Sequence, residues 1–586
     1  MYDVGAALCR PILKEDTFMN HIKQYELWRD NPALDADTRA ELLSIANDPN
    51  EVQERFHQDL AFGTGGLRGI LGAGTNRMNV YTVRRASQGL ADYILDNTTD
   101  GKARGVVVSH DSRRYSRKFA LETALIMVQN GIKAYIFEDL RPTPQLSFAI
   151  RRLGCIAGVM ITASHNPPEY NGYKAYWCDG GQFVAPQDAD VISYVNKISD
   201  IASLKAADEA EAIKSGMLTV LDSSIDDDYM QAVLAQSLNP GCISKVADDF
   251  NIVYTPLNGA GNVPVCRALG EAGFKHIHVV PQQQDPDPNF TTLKYPNPED
   301  PDAFALGVKL AKAKNADIIV ATDPDADRMG CMVKNRAGEY ELLSGNAAGV
   351  LMAEYILSQK QARGTLPKSP AIISTIVSTK LTKEIAKAYG AAYYEVLTGF
   401  KYIAEKIRLW EQNDGHSLIL GFEESFGYLA GSDSARDKDA ISATMLICEI
   451  AAHYKSQGMS LFDGLDELSK RYGYFKEATA SLTLKGMDGL AKMQTLMATL
   501  RNNPPKALAG HSLLDFQDYK EGKVPGFPAS DVLYYVLEDD AWCCVRPSGT
   551  EPKIKLYMGA KGETDADAQT QVDALYKAVF EMIGDL

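Results

Sequence analysis

The chain has 586 residues, 45% of them apolar, and a formal net charge of −16. That length is too great for one hydrophobic core and predicts three to five domains of about 100–200 residues each, and the composition excludes a disordered chain. The acidic balance excludes nucleic acid and an anionic membrane surface as expected partners, although a local cluster of Arg and Lys can still make a positive cleft for a small anion.

No uncharged apolar run is long enough for a membrane helix. Met1 to Lys14 shows no basic segment followed by an apolar core, so no secretory signal is expected. The nine cysteines are scattered, with no C-x-x-C, as free thiols in a reducing compartment would be. The expectation is a cytoplasmic protein.

Residues 1 to about 60 read as a helical prelude. Asp48-Pro49-Asn50-Glu51 is a helix start, followed by Val52, Phe56 and Leu60 at four-residue spacing. Next comes Phe62-Gly63-Thr64-Gly65-Gly66-Leu67-Arg68-Gly69. It is not a dinucleotide fingerprint, because Arg68 stands where the last glycine is needed. A glycine-rich loop ending in arginine can bring backbone N–H groups and a guanidinium to an anion; a plain flexible turn is the simpler reading.

Gly105 to Val108 predicts a strand, and it runs into Ser109-His110-Asp111-Ser112-Arg113-Arg114. Residues 119–130 read as a helix and Ala134 to Phe137 as a strand. Gly158 to Ile161 is a short apolar run that stops at Thr162-Ala163-Ser164-His165-Asn166-Pro167-Pro168. The two prolines cannot continue a central strand, which puts Ser164 on a loop just past a strand end. Ligands bind there in open α/β sheets. A serine so placed can be a nucleophile, with His165 and Lys174 near enough to handle protons; Ser, Asn and Pro are also ordinary turn residues. Strands alternating with helices predict βαβ units and a mostly parallel sheet.

Residues 185–225 are charged and helical in pattern, as an exit from the first domain. A second unit starts near Asn251-Ile252-Val253-Tyr254 and closes with Ala316 to Ala321, followed by Thr322-Asp323-Pro324-Asp325-Ala326-Asp327-Arg328. Three aspartates alternating in extended backbone would point the same way and converge on one hard cation. An EF-hand is excluded, since its sixth-position glycine is Arg328 and its twelfth-position glutamate is Lys334. So few ligands suit Mg²⁺, which keeps waters and bridges to phosphate oxygens. A solvated acidic loop is the competing reading.

A third unit, from about 338, offers strands at Ala371 to Ile373, Ala391 to Val396 and Ser417 to Gly421. The last two end in Leu397-Thr398-Gly399-Phe400-Lys401 and Phe422-Glu423-Glu424-Ser425-Phe426-Gly427. Two carboxylates and a serine suit sugar hydroxyls, which both donate and accept. Arg436 and Lys438 follow in a charged segment. From about 465 the character changes. Asp531 to Leu537 and Ala541 to Val545 flank Glu538-Asp539-Asp540 as a hairpin. The second strand enters Arg546-Pro547-Ser548-Gly549-Thr550, a credible phosphate cradle. The last helix carries Val572, Leu575, Val579 and Ile583 on one face.

In order and spacing, these motifs resemble the α-D-phosphohexomutase family over nearly the whole chain. The likeness is greatest to phosphoglucomutases of the branch that includes phosphopentomutase-like and glucose-1,6-bisphosphate synthase-like members. Many family members have glycine where Pro324 and Ala326 stand, and this departure points to that branch. The resemblance implies three related α/β mixed-sheet domains plus a C-terminal α+β domain around a central cleft. Boundaries are expected at 1–215, 216–337, 338–462 and 463–586.

Carried over residue by residue, the resemblance implies that Ser164 bears the phosphoryl group and lends an oxygen to a Mg²⁺ held by Asp323, Asp325 and Asp327. Lys174, His165 and Arg68 would serve catalysis, with Lys174 as general acid/base, and Arg328 would stabilise charge. Thr398, Gly399, Lys401, Glu423, Ser425, Arg436 and Lys438 would bind the sugar phosphate. Arg546, Ser548, Gly549 and Thr550 would hold the phosphate that is not transferred. The implied activity interconverts glucose 1-phosphate and glucose 6-phosphate, primed by glucose 1,6-bisphosphate, in a monomer or weak dimer. A phosphopentomutase or phosphomannomutase is the alternative, then a phosphosugar phosphatase or a non-catalytic phosphosugar-binding protein.

Overall fold

The computed structural model describes residues 15–63, 66–483, 489–547 and 553–584. Its organisation follows from a few fully buried, mostly apolar strands. Val106–His110, Ala157–Ile161, Ile318–Thr322 and Pro370–Thr375 are buried at every position. Strands covered on both faces read that way, because helices pack on each side of a parallel sheet.

The first sheet contains β1 (Gly66–Ile70), β2 (Val106–His110), β3 (Ala134–Phe137), β4 (Ala157–Ile161), β5 (Tyr170–Trp177) and β6 (Leu218–Leu221). The second contains β7 (Asn251–Thr255), β8 (His276–Val279), β9 (Ile318–Thr322), β10 (Met329–Lys334) and β11 (Tyr340–Leu342). The third contains β12 (Pro370–Thr375), β13 (Ala392–Val396), β14 (Ser417–Glu423) and β15 (Gly427–Ala430). Read across, the three carry one pattern: β5-β4-β2-β3, β10-β9-β7-β8 and β15-β14-β12-β13. In each, three strands run parallel and the fourth turns back antiparallel to the third. The same turn of each unit therefore delivers Ser164, Asp323 to Asp327, and Glu423 to Ser425.

The last sheet is antiparallel throughout: β16 (Tyr474–Thr483), β17 (Ala507–Leu508), β18 (His511–Asp518), β19 (Leu533–Leu537), β20 (Trp542–Pro547) and β21 (Lys553–Gly562), in the order β16-β21-β20-β19-β18-β17. Asp539 and Asp540 form the β19–β20 turn with φ of 59° and 58°. Helix Asp565–Ile583 covers this sheet with buried Val572, Leu575, Val579 and Ile583.

Three expected boundaries shift. β6 pairs with β3, so the first sheet runs to Leu221 and not to 215. β11 pairs with β10, so residues past 337 still belong to the second sheet. The expected start of the last domain at 463 falls inside helix Leu461–Tyr472, whose buried Leu461 and Leu468 join the core of the middle units. The chain enters the last sheet only at Gly473, with φ +111.

Two packing features place the site. Helix Ala440–Lys455 is mostly apolar and buried at every position from Ala440 to Ala452; such a helix lies between layers, and here it joins the second and third units in one continuous core. The last domain meets the third unit through an apolar patch of Ile376, Val377 and Leu397 against Tyr534, Trp542 and Tyr557. The ammonium of Lys380 lies 5.4 and 5.2 Å from the Tyr534 and Trp542 ring centres. At the other end, helices Ala36–Ser44 and Pro49–Phe56, the second capped by Asp48 as expected, pack Leu42, Val52 and Phe56 against Ala73 and Tyr81 just beyond β1. No helix among the described residues is long and apolar enough to cross a membrane.

Candidate active site

Ser164 lies on the β4–β5 loop, 3% exposed, with a left-handed φ of 51°. Its amide donates to Thr162 Oγ1 at 2.8 Å. Its hydroxyl donates to Asp323 Oδ2 at 2.5 Å and lies 3.2 Å from His165 Nδ1. Loops of the first and second sheets thus meet at the serine. Burial and the neighbouring Arg328 and Arg68 push His165 well below its ordinary value, so its ring is neutral near neutral pH.

The aspartates converge through a turn, not through extended backbone. Ala326 N–H donates to Asp323 C=O at 2.9 Å, and Ala326 takes φ 49°. Asp323 Oδ1 accepts the amides of Asp327 (3.1 Å) and Arg328 (3.0 Å). Lys174, on β5 beside β4, donates to Asp325 Oδ2 (2.7 Å) and Asp327 Oδ2 (2.9 Å). Lys438 Nζ lies 3.2 Å from Asp327 and 3.1 Å from Asp437.

This cluster fits a metal ion. One carboxylate oxygen of each aspartate lies within 4.8 Å of the others. The Oδ1 atoms of Asp325 and Asp327 are buried without a hydrogen-bond partner, and buried charged oxygens left so are costly unless a cation takes them. Three hard carboxylates suit a hard divalent ion. Burial, with the charges of Asp325 and Asp327, holds Asp323 well above its ordinary value. Burial also pushes Asp327 up, but Lys174, Lys438 and Arg328 outweigh it and leave it low. Burial pulls Lys174 down, and Asp325 and Asp327 more than reverse this, so it stays an ammonium.

The other expected residues divide. Arg68 is exposed on β1 and reaches Asn166 Oδ1 at 3.2 Å, across the mouth of the serine loop. Arg328 is held by Glu299 and by the Ser425 carbonyl at 3.2 Å. The Gly399 amide donates to Glu423 Oε1 at 2.7 Å, which ties residues 398–401 to the third loop. Thr398 and Ser425 are half-buried there. Lys401 pairs with Asp188 at 3.4 Å. Lys438, expected to bind the sugar phosphate, lies beside the aspartates. Arg436 is buried against Glu411 and the Ser432 and Ala435 carbonyls, where it clamps its own loop. Arg546 is half-buried at the end of β20, opposite Lys555; Ser548, Gly549 and Thr550 lie outside the described residues.

Between the third loop and the last domain lies a cavity of about 460 Å³, lined by Glu299, Glu424, Ser425, Glu477, Lys555 and Tyr557 among others. Burial and the charge of Glu423 push Glu424 up to about 7.

Models of the phosphoglucomutase/phosphomannomutase alpha/beta/alpha domains I, II and III match residues 59–202, 227–338 and 344–472, and the model of the C-terminal domain matches 520–577. The chain belongs to this family. A probable phosphomannomutase of Haemophilus influenzae is 38% identical over 495 residues, covering 84% of this chain and 94% of that one. A phosphoglucomutase of Staphylococcus aureus is 35% identical over 536 residues, covering 90% and 94%. Among solved structures, a putative phosphomannomutase of Thermus thermophilus shares the fold at TM-score 0.66 and 21% identity, covering 90% of this chain and 100% of that one. Paramecium parafusin, a phosphoglucomutase in an open form, does so at TM-score 0.66 and 18% identity, covering 89% and 94%.

Several other residues pack around this cluster without a clear signal in the sequence. Asp111 and Arg113 support the serine loop from β2. Thr143 Oγ1 donates to Asp325 at 2.7 Å. Asp437 accepts from Tyr176 and from Gln182, each at 2.9 Å. The one available signal was the polar run that ends β2, since it lies at the same sheet edge as Ser164.

Proposed function

We propose that the protein is a phosphosugar mutase that interconverts glucose 1-phosphate and glucose 6-phosphate through a phosphoserine at Ser164. The observation that carries this reading is the Ser164 hydroxyl on Asp323, inside a buried cluster of three aspartates and Lys174. Phosphoryl transfer needs the charge on the moving group neutralised and the two oxygens in line. Asp323, Asp325 and Asp327 would hold Mg²⁺, which neutralises charge on the transferred group when bound.

The chain's own residues do the rest. Ser164, once phosphorylated, gives its phosphoryl group to the free hydroxyl of the hexose 1-phosphate. The ester bond at the serine breaks as the bond to the sugar oxygen forms. Lys174 and His165 handle the proton lost by that hydroxyl and the one taken up by the serine oxygen. The resulting bisphosphate turns around, its other phosphate returns to Ser164, and the 6-phosphate leaves. Glucose 1,6-bisphosphate primes the cycle by phosphorylating free Ser164. Glu423 and Ser425 meet the sugar hydroxyls, and Arg546 with residues 548–550 holds the idle phosphate. The name of the Staphylococcus aureus relative supports glucose as the sugar. The name of the Haemophilus influenzae relative favours a second reading, mannose.

Phosphorus NMR tests this with Mg²⁺, glucose 1-phosphate and a trace of glucose 1,6-bisphosphate. Growth of the 6-phosphate signal to equilibrium is expected. Free phosphate in its place would mean a hydrolase. Mannose 1-phosphate and ribose 1-phosphate in parallel tubes rank the sugars.

A further inference from the structure

The nucleophile sits on a loop with no regular structure, at a backbone angle that a side chain disfavours. The surroundings show what holds it. The side chain of Arg113 is fully buried. Its guanidinium donates to the carbonyls of Ser164 (2.5 Å), Asn166, Pro167 (2.7 Å) and Tyr170 (3.1 Å). Its charge faces Asp111 Oδ2 at 3.3 Å. That same oxygen accepts from Thr162 Oγ1 at 2.6 Å, and Thr162 Oγ1 in turn accepts the Ser164 amide at 2.8 Å. Both backbone polar groups of Ser164 therefore trace to one Asp111–Arg113 pair.

The pair is completed from the second unit. Phe290, 1% exposed, lies with its ring centre 5.0 Å from the guanidinium carbon of Arg113. Next to it, Asn289 Oδ1 accepts from Arg114 at 2.7 Å. Farther along the same segment, Glu299 holds Arg328, the residue after the aspartates. The segment 289–299 therefore reaches from the serine loop to the aspartate loop.

We propose that Arg113 is a positioning residue that sets the turn at Ser164, and that Phe290 makes this setting depend on the docking of the unit that brings the aspartates. The proposal rests on the mutase reading for its kinetic consequences. Lysine cannot replace Arg113, because its three donors sit on one nitrogen and cannot span four carbonyls as a planar fork does. The Phe290 ring keeps water from these bonds, which strengthens them, and stacks on the cation.

The test is Arg113→Lys and Phe290→Leu, with Phe290→Tyr as the conservative variant. Arg113→Lys is expected to lower kcat roughly 100-fold, as a ~1 Å misplacement of a reacting group does. KM for the hexose phosphate should stay within about 2-fold, because the sugar contacts lie on other loops. Phe290→Leu should lower kcat about 3-fold and Phe290→Tyr should restore it. Phosphorylation of Ser164 by glucose 1,6-bisphosphate, followed by mass spectrometry, should slow in proportion. Hydrogen exchange of the peptide 162–172 should speed up in Arg113→Lys, a readout that needs no turnover.

Ordinary kcat and ordinary exchange in Arg113→Lys overturn the proposal, as does a rise in KM that accounts for the whole loss. Should Arg113→Lys fail to fold, the Phe290 pair decides, and equal kcat in Leu and Tyr overturns it. A wild-type protein that turns over no sugar phosphate refutes the mutase reading instead, and the exchange experiment still judges the clamp.

Discussion

The β4–β5, β9–β10 and β14–β15 loops hold the same place in three sheets of one strand order, yet they are packed differently. The first two are shut. Ser164, Asp323, Asp325 and Asp327 are buried, Lys174 and Lys438 face the aspartates, and Arg113 holds the serine loop. The third is open: Glu424 and Ser425 are half-buried and face a cavity of about 460 Å³. The repeated scaffold gives each loop a rigid strand end, and the neighbours decide what it does. In-line transfer between two oxygens needs fixed geometry, and a bisphosphate that turns around needs room.

Four changes would break or sharpen that contrast. Ser164→Ala has the largest expected effect, a loss of turnover of about ten-thousand-fold or more with unchanged circular dichroism. Full activity would remove the serine from the chemistry. Asp325→Asn comes next, raising the Mg²⁺ needed for half-maximal turnover by at least about tenfold. It should also erase the Mg²⁺-dependent rise in Tm, and an unchanged Mg²⁺ response would break the assignment of the shut seam as the metal site.

On the open side the expected effects are smaller and touch stability more than transfer. Trp542→Ala removes the ring stacked 5.6 Å from Tyr534 and one that Lys380 faces. It should cost about 3–5 kcal/mol, seen in calorimetry as an earlier transition of the last domain alone. A transition that moves as one would show that this domain does not melt separately.

Glu424→Gln is the mildest change. The folded value of Glu424, about 7, lies above the ordinary 4.5, so the folded state holds the proton more tightly than the unfolded state. Its contribution is full below the unfolded value and is lost as pH rises through the folded one. The variant should therefore match wild type near about pH 5 and melt a few degrees higher near about pH 8. A Tm difference that is flat with pH would refute the shift.

Some of this was legible in the sequence for a plain reason. A parallel strand covered on both faces is apolar over most of its length, so its end shows where the polar motif begins. Gly158 to Ile161 before Ser164, and Ala316 to Ala321 before Asp323, are such ends. Arg436 shows the limit. It stands two residues from Lys438 in a charged run, and nothing local reveals that Glu411 and the Ser432 carbonyl hold it. Boundaries were blurred because β6 and β11 are short and partly exposed, so pairing and not composition assigns them.

By itself, the sequence determined the order of units and the chemical kind of each loop, since strand burial and residue type are local properties. Only the tertiary structure decided the partners. Ser164 and Asp323 are 159 positions apart, Lys174 and Asp325 are 151 apart, and their contacts exist only because the first and second units pack together. The aspartates meet through a turn at Ala326 and not along an extended strand. The angle at Ser164 is held by Arg113 and capped by Phe290 from another unit. The physical reason is the same in each case: a buried charge must find its counter-charge, and folding brings that counter-charge from elsewhere in the chain.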